Sequence, residues 1–372
     1  MTSYDQPSSS NEEIFAENNN ASTSLHSRCV ATLKSPNSYT SSLVLAGKFL
    51  FTGSSDKEIR MWKRHQNPTD DDDDVVVAGK GAVKSLVVSA DKIFSAHQDN
   101  KIRVWKINNN QNSGTQNLAH LATLPILSDR AIKYLRPKNH VQIRRHKTST
   151  WVHHVDAVSA LALSRDESLL YSVSWDRTLK IWSTADFKCI QSIENAHDDA
   201  INALAASRDG QVYTGSADKK IKVWGKPHGD DEKKHSLVAT LEKHNSGINA
   251  LAVDMNGSVL YSGSCDGSVL VWEKDCGGRA VAALRGHEKA VLCLGVVADL
   301  VCSGSADKTI RIWRQRCYSC VAVLAGHDGP VKCLTAASDC HNEGDQTSSY
   351  LLYSGGLDGD TKVWEIFVLP RK

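Results

Sequence analysis

The sequence predicts an all-β molecule, a seven-bladed β-propeller of four-stranded antiparallel blades. Three observations carry that prediction. First, the stretch GSADKTIRIW (304–313) has a close twin in GSADKKIKVW (215–224). Second, a frame in which an Asp follows a Ser or Thr by four positions and precedes a Trp by six recurs seven times. It comprises Thr52, Asp56 and Trp62; Ser95, Asp99 and Trp105; Ser172, Asp176 and Trp182; Thr214, Asp218 and Trp224; Ser262, Asp266 and Trp272; Ser303, Asp307 and Trp313; and Ser354, Asp358 and Trp364. Seven of the nine tryptophans fall in it, so it is a repeat and not a coincidence. Third, the flanks alternate with period two. In VLYSGSCDGSVLVW (259–272) two short strands flank an Asp-Gly turn, a strong hairpin signal.

Each unit then gains two strands. INALAV (248–253) lies upstream of its hairpin and LVATL (237–241) lies before that, giving four strands in roughly 40 residues. A four-stranded sheet cannot bury both faces alone, whereas seven packed radially can. The first hairpin is preceded by CVATL (29–33), which resembles LVATL and CVAVL (320–324), and the last ends at Trp364 with few residues left. Residues 29–33 therefore supply the missing outer strand of the last blade and remove the open edge. The propeller is expected over 28–369. Residues 1–27, with four acids and no Lys or Arg, are expected to be a disordered polar tail.

The chain resembles the WD-repeat propellers, with their Gly-His dipeptide kept or altered at Ala196-His197, Lys243-His244, Gly286-His287 and Gly326-His327. The wording GHEKAVLCLGVVADLVCSGSADKTIRIW, GHDGPVKCLTA and RRHKTSTWVHHVDAVSALALS is similar, more narrowly, to the plant Jingubang-like group. The resemblance implies a non-enzymatic interaction scaffold or regulatory adaptor, in cytoplasm or nucleus. A single propeller within a complex, without cofactor, is expected to bind other proteins or acidic, extended peptides.

The bulk properties agree. A net charge of +2 in 372 residues does not argue for nucleic acid or membrane. The apolar stretches are interrupted and fall short of the ~20 residues a spanning helix needs, and no basic-then-apolar leader is seen. Ten cysteines, mostly inside apolar segments such as AVLCL around Cys293, are expected to be reduced thiols. The Cys317/Cys320 pair has no second pair at zinc spacing, so no metal site is expected there.

Five units carry the residue types of a hydrolase triad: His154, Ser172 and Asp176; His197, Thr214 and Asp218; His244, Ser262 and Asp266; His287, Ser303 and Asp307; His327, Ser354 and Asp358. The catalytic reading is nucleophilic attack by the hydroxyl. An active site appears once, however, and this set appears five times. The expected role is a hydrogen-bond network that pins each hairpin turn to the loop before it, the hydroxyl linking His to the indole N–H of Trp182, Trp224, Trp272, Trp313 or Trp364. Blades one and two place Pro36 and Gly79 where the histidine would be. His153 and His154 are read as strand neighbours facing opposite ways.

Function then falls to the rims. On the rim with the Asp turns, the candidate partner-binding residues are Lys57, Gln98, Trp175, Arg177, Lys219, Lys289, Lys308 and Leu357. Trp175 stands out as a tryptophan outside the frame beside an Arg, the composition of an interface anchor. The opposite rim is expected to hold three insertions: NPTDDDDD (67–74), GKPHGDDEKKHS (225–236), and a basic one at about 107–147 that stretches the Trp105-to-Trp182 spacing to 77. Its segment 130–147 contains Arg130, Lys133, Arg136, Lys138, Arg144, Arg145 and Lys147 and no acid, and Trp151 after it is read as outer-strand core. It could dock a partner, contact RNA or anionic lipid, or direct the chain to the nucleus. Two other functions are weighed, a substrate receptor of a cullin-type ubiquitin ligase and an RNA-binding propeller using the basic insert. The Trp residues of the frame are not followed by the Asp-x-Arg that the first would need.

Overall fold

A computed structural model describes residues 25–368 apart from 36–37, 65–73, 110–115, 135–139, 145–146, 227–233, 275–277 and 339–347. Seven four-stranded antiparallel sheets form the blades, and a separate two-stranded hairpin pairs His140–Arg144 with Lys147–Thr150. The inner strands are Thr40–Ala46, Val83–Ser89, Val158–Leu163, Ile201–Ala206, Ile248–Val253, Val291–Val297 and Val331–Ser338. Each touches the inner strand on either side, which closes the ring around a central channel.

The seventh blade is completed from the other end of the chain. Leu25–Lys34 pairs antiparallel with Asp360–Val368, with Leu25 opposite Val368 and Leu33 opposite Thr361. Strand alternation makes every blade apolar on both faces, so the core lies between blades. In the layer between blades two and three, Phe94, Ile102 and Val104 pack against Val158, Leu161 and Leu170, all buried. Residues 1–24 of the expected polar tail and the acidic run 70–73 lie outside the described residues, whereas Leu25, His26 and Ser27, expected in the tail, pair with Val368, Phe367 and Ile366 in the closing strand, and Asp74 opens the outer strand Asp74–Ala78.

The basic insertion is not where the sequence reading put it. Gln116–Leu124 is the outer strand of blade two, paired with Ile102–Asn109, so residues 116–124 belong to the blade. The extra chain begins after Leu124 and includes a helix, Leu127–Tyr134, and the hairpin 140–150. It joins an outer strand to the next inner strand, and such connections start and end on the rim of the Asp turns, not the opposite one. The helix also reaches down the side of the ring: Asp129 accepts a hydrogen bond from the Cys189 backbone N–H at 3.1 Å, and Cys189 sits opposite Trp182 at the far end of its strand. Trp151 follows the hairpin in a turn and packs on the layer between blades two and three without joining an outer strand. His153 and His154 lie in that turn as well.

Every inner strand carries a bulge after its first residue, which displaces Ser41, Lys84, Ser159, Asn202, Asn249, Leu292 and Lys332 from the pairing. Four of these reach the next blade. Ser41 Oγ donates to the Val83 carbonyl at 2.6 Å and Ser159 Oγ to that of Ile201 at 2.5 Å. Asn202 Nδ2 donates to the Ile248 carbonyl at 3.2 Å and Asn249 Nδ2 to that of Val291 at 3.1 Å.

Candidate protein-interaction rim

The rim is built from seven Asp turns. In each, the residue after the Asp has positive φ: Lys57 79°, Asn100 60°, Arg177 68°, Lys219 72°, Gly267 81°, Lys308 73° and Gly359 87°. That region favours glycine, and Asn next. The Asp makes the turn possible without one, because its Oδ1 accepts the N–H two residues on, as Asp307 does from Thr309 and Asp218 from Lys220, both at 2.9 Å.

Beneath four turns the expected network is present. His287 Nδ1 lies 2.8 Å from Asp307 and its Nε2 2.8 Å from Ser303 Oγ, which accepts the Trp313 indole N–H at 2.8 Å. The same chain links His197, Asp218, Thr214 and Trp224, His154, Asp176, Ser172 and Trp182, and His327, Asp358, Ser354 and Trp364. Indole N–H to hydroxyl, hydroxyl to Nε2, and Nδ1–H to carboxylate satisfy every polar group. Burial lowers the His287 pKa despite the pull of Asp307, so the ring stays neutral. Burial alone would raise the Asp307 pKa, but hydrogen bonds from Thr309 and His287 outweigh it and bring it to about 2. The five frame hydroxyls of these histidine blades are fully buried, beyond the reach of a substrate.

Three blades depart from the pattern. In blade five His244 reaches Ser262 at 2.6 Å, but its buried Nδ1 meets no partner among the described residues, and Asp266 takes the Ser268 hydroxyl at 2.5 Å instead. In blade two the strand register, with Val77 opposite Ile59 as Leu284 is opposite Val269, puts Lys80 rather than Gly79 at the loop-histidine position. A histidine enters from the hairpin in its stead. His97 Nε2 meets Ser95 Oγ at 2.8 Å and Nδ1 meets the Gly81 carbonyl at 2.7 Å, while Trp105 donates to the same hydroxyl at 2.8 Å. Burial pushes the His97 pKa down to about 4. Asp99, without a histidine, pairs with Arg103 at 2.5 Å. Blade one uses the same substitute: Arg60 holds Asp56 at 2.7 Å, and Trp62 donates to Thr52 at 3.1 Å. Pro36 lies outside the described residues. Sequence reading missed His97, although it stands two residues before its Asp where most other blades have Ser.

All eight rim candidates, Lys57, Gln98, Trp175, Arg177, Lys219, Lys289, Lys308 and Leu357, are exposed. Trp175 is 41% exposed, and a lysine that sequence reading did not single out, Lys84, holds its ammonium 5.4 Å from the Trp175 ring centroid. From the insertion, exposed Arg130 adds positive potential beside Lys101 and His153. Burial first, then Lys101 and Arg130, push the His153 pKa down to about 4. The backbone places Lys133 on the helix and Arg144 opposite Lys147 in the hairpin, while Arg136, Lys138 and Arg145 lie outside the described residues.

The repeat itself decides the family. A family model described as "WD domain, G-beta repeat" matches residues 27–63, 145–183, 187–225, 235–273, 278–314 and 318–365, more than half of the chain. The chain belongs to the WD-repeat family. Residues 64–144, which hold blade two, fall outside those matches. Among relatives, it is 28% identical over 215 residues to "Apoptotic protease-activating factor 1" of Danio rerio, covering 57% of this chain and 16% of that protein. It is 27% identical over 179 residues to "Guanine nucleotide-binding protein subunit beta" of Solanum tuberosum, covering 43% of this chain and 44% of that one. It is 30% identical over 176 residues to "Zinc finger CCCH domain-containing protein 62" of Arabidopsis thaliana, covering 46% and 39%. The chain thus spans less than half the length of these relatives. Among solved structures, the WD40 β-propeller domain of Doa1 superposes with a TM-score of 0.65 at 20% identity, covering 91% of this chain and 96% of that one, which shows the fold.

Proposed function

We propose that this propeller is a non-enzymatic interaction scaffold whose Asp-turn rim docks an acidic or extended segment of a partner protein. The observation that carries this reading is Trp175, a large aromatic left 41% exposed beside Arg177 on a rim that also exposes Lys57, Lys219, Lys289 and Lys308. An exposed aromatic beside cations suits a partner that brings both apolar and acidic side chains. Four of the five histidine sets are spent on internal hydrogen bonds, and all five frame hydroxyls are buried inside the blades. The narrower likeness to the plant Jingubang-like proteins supports a regulatory adaptor working in cytoplasm or nucleus, as a single propeller within a larger complex.

Proximity labelling with mass spectrometry in native cells tests it. A variant combining Trp175→Ala, Arg177→Glu and Lys308→Glu should lose a defined set of partners while keeping its melting temperature. If only deletion of 130–147 changes the partner set, docking belongs to the insertion instead.

A further inference from the structure

The five histidine blades are not fastened alike. In four of them the Asp carboxylate takes Nδ1 of the loop histidine and also fixes the loop backbone. Its Oδ2 accepts the N–H of the residue after the histidine, from Val155 at 2.8 Å, Asp198 at 3.0 Å, Glu288 at 3.1 Å and Asp328 at 2.8 Å. In blade five both links are missing among the described residues. His244 Nδ1 is buried without a partner, and the Asp266 carboxylate holds its own turn through the Ser268 N–H at 2.9 Å and hydroxyl at 2.5 Å. The Ser268 hydroxyl does not explain the gap. Thr178 and Thr309 stand at the same place, give their hydroxyls to Asp176 at 2.7 Å and Asp307 at 2.6 Å, and leave those clasps closed. The loop differs instead. It reads His244-Asn245-Ser246-Gly247, and Gly247 stands where the closed blades have Ala157, Ala200, Ala290 and Pro330. Glycine loses more conformational freedom on ordering than any other residue. At the glycine itself the loop is fastened again, since the Gly247 carbonyl accepts the Cys265 N–H at 2.9 Å and the Ser264 hydroxyl at 3.1 Å.

We infer that His244 and Asn245 form a latch, hinged at Gly247, that closes on Asp266 and opens from it, and that stands open in this structure. Closing satisfies the buried Nδ1 and the Asn245 N–H. Opening keeps the freedom of the hinge. The two tendencies oppose each other only in blade five, because only there does the loop carry the glycine. The motion has a path to the rim. A Cβ at Gly267 would lie 2.8 Å from the His287 carbonyl oxygen and 3.1 Å from that of Lys289, so the fifth turn sits directly on the sixth loop. A shift of the Asp266 turn toward the latch is passed to the loop that carries Lys289. The latch is a property of the fold and holds whatever the rim binds.

Residue-resolved amide hydrogen exchange of the full chain tests it. In the wild type the Asn245 amide should be about tenfold less protected than those of Asp198, Glu288 and Asp328. Gly247→Ala should favour the closed latch and raise the protection of Asn245 about tenfold. It should also move the Lys289 amide resonance and leave that of Lys57 in place. Asp266→Ala should leave the exchange of Asn245 unchanged, whereas Asp307→Ala should speed that of Glu288 about tenfold. This second pair decides the matter where Gly247→Ala does not fold. Wild-type protection of Asn245 equal to that of Asp198 overturns the open latch. So does an acceleration of Asn245 by Asp266→Ala as large as that of Glu288 by Asp307→Ala. A folded Gly247→Ala protein with Asn245 exchange unchanged overturns the hinge, and an unmoved Lys289 resonance overturns the path to the rim.

Discussion

Blades two and six solve the same problem with different chemistry. Both must hold an Asp turn over a buried tryptophan, and both end the indole N–H on a Ser hydroxyl, at 2.8 Å in each. Blade six then runs through a neutral loop histidine to its Asp. Blade two splits these roles between two residues. His97 closes the hydroxyl chain on a backbone carbonyl, and Arg103 neutralises the Asp by a direct ion pair. The fold therefore requires satisfied groups, not particular residues. The family model passes over blade two while the sheet forms all the same.

Removing charge while keeping shape should separate the two blades most strongly. Asp99→Asn leaves the buried Arg103 guanidinium without its counter-ion and should cost about 3 kcal/mol. Asp307→Asn keeps an acceptor for a neutral His287 and should cost about 1 kcal/mol. Equal losses in chemical denaturation would mean that the two turns are held alike.

A second difference lies in pH. Burial holds the folded pKa of His97 near 4, below the 6.5 of an unperturbed histidine. The stability tied to it is complete above pH 6.5 and is lost as pH falls toward 4, because the unfolded chain takes up the proton first. Between pH 7 and 5, His97→Gln should therefore lose about 2 kcal/mol less than the wild type. Parallel losses in the two proteins would show that His97 is not buried neutral.

The smallest expected effect concerns the turns. Lys308 stands at φ 73° where blades five and seven have Gly267 and Gly359. Lys308→Gly should stabilise by about 0.5 kcal/mol, measured as a rise in the denaturation midpoint. A fall would mean that the lysine side chain contributes packing that offsets its backbone strain.

These contrasts mark what could be read in the sequence. The frame of Thr or Ser, Asp and Trp is local, so the hairpins were legible. The closing strand was legible too, because CVATL repeats the wording of other outer strands. Blade two was misread by one anchoring choice. Counting back from His154 made Trp151 an outer-strand residue, when the run HLATL (120–124) carried the same pattern as LVATL. The histidine is tied to the blade it enters and not to the strand behind it, so an insertion between them breaks the count. His97 carried one signal, its place where most other blades have Ser, but its partner, the Gly81 carbonyl, carries no side-chain signal that would tie the two together. The approach of Lys84 to Trp175 spans two blades, and no period within one repeat encodes it.

The seventh blade has a mechanical consequence. Leu25 and Val368 face each other at one end of the antiparallel pair Leu25–Lys34 and Asp360–Val368. A tension applied between those two residues would load the ladder one rung at a time, like a zip, instead of shearing all its bonds together. The same pair lies at the edge away from the Asp turns. Leu25 and Val368 therefore both stand on the far side of the disc from the mouth with Trp175, Lys84 and Lys332.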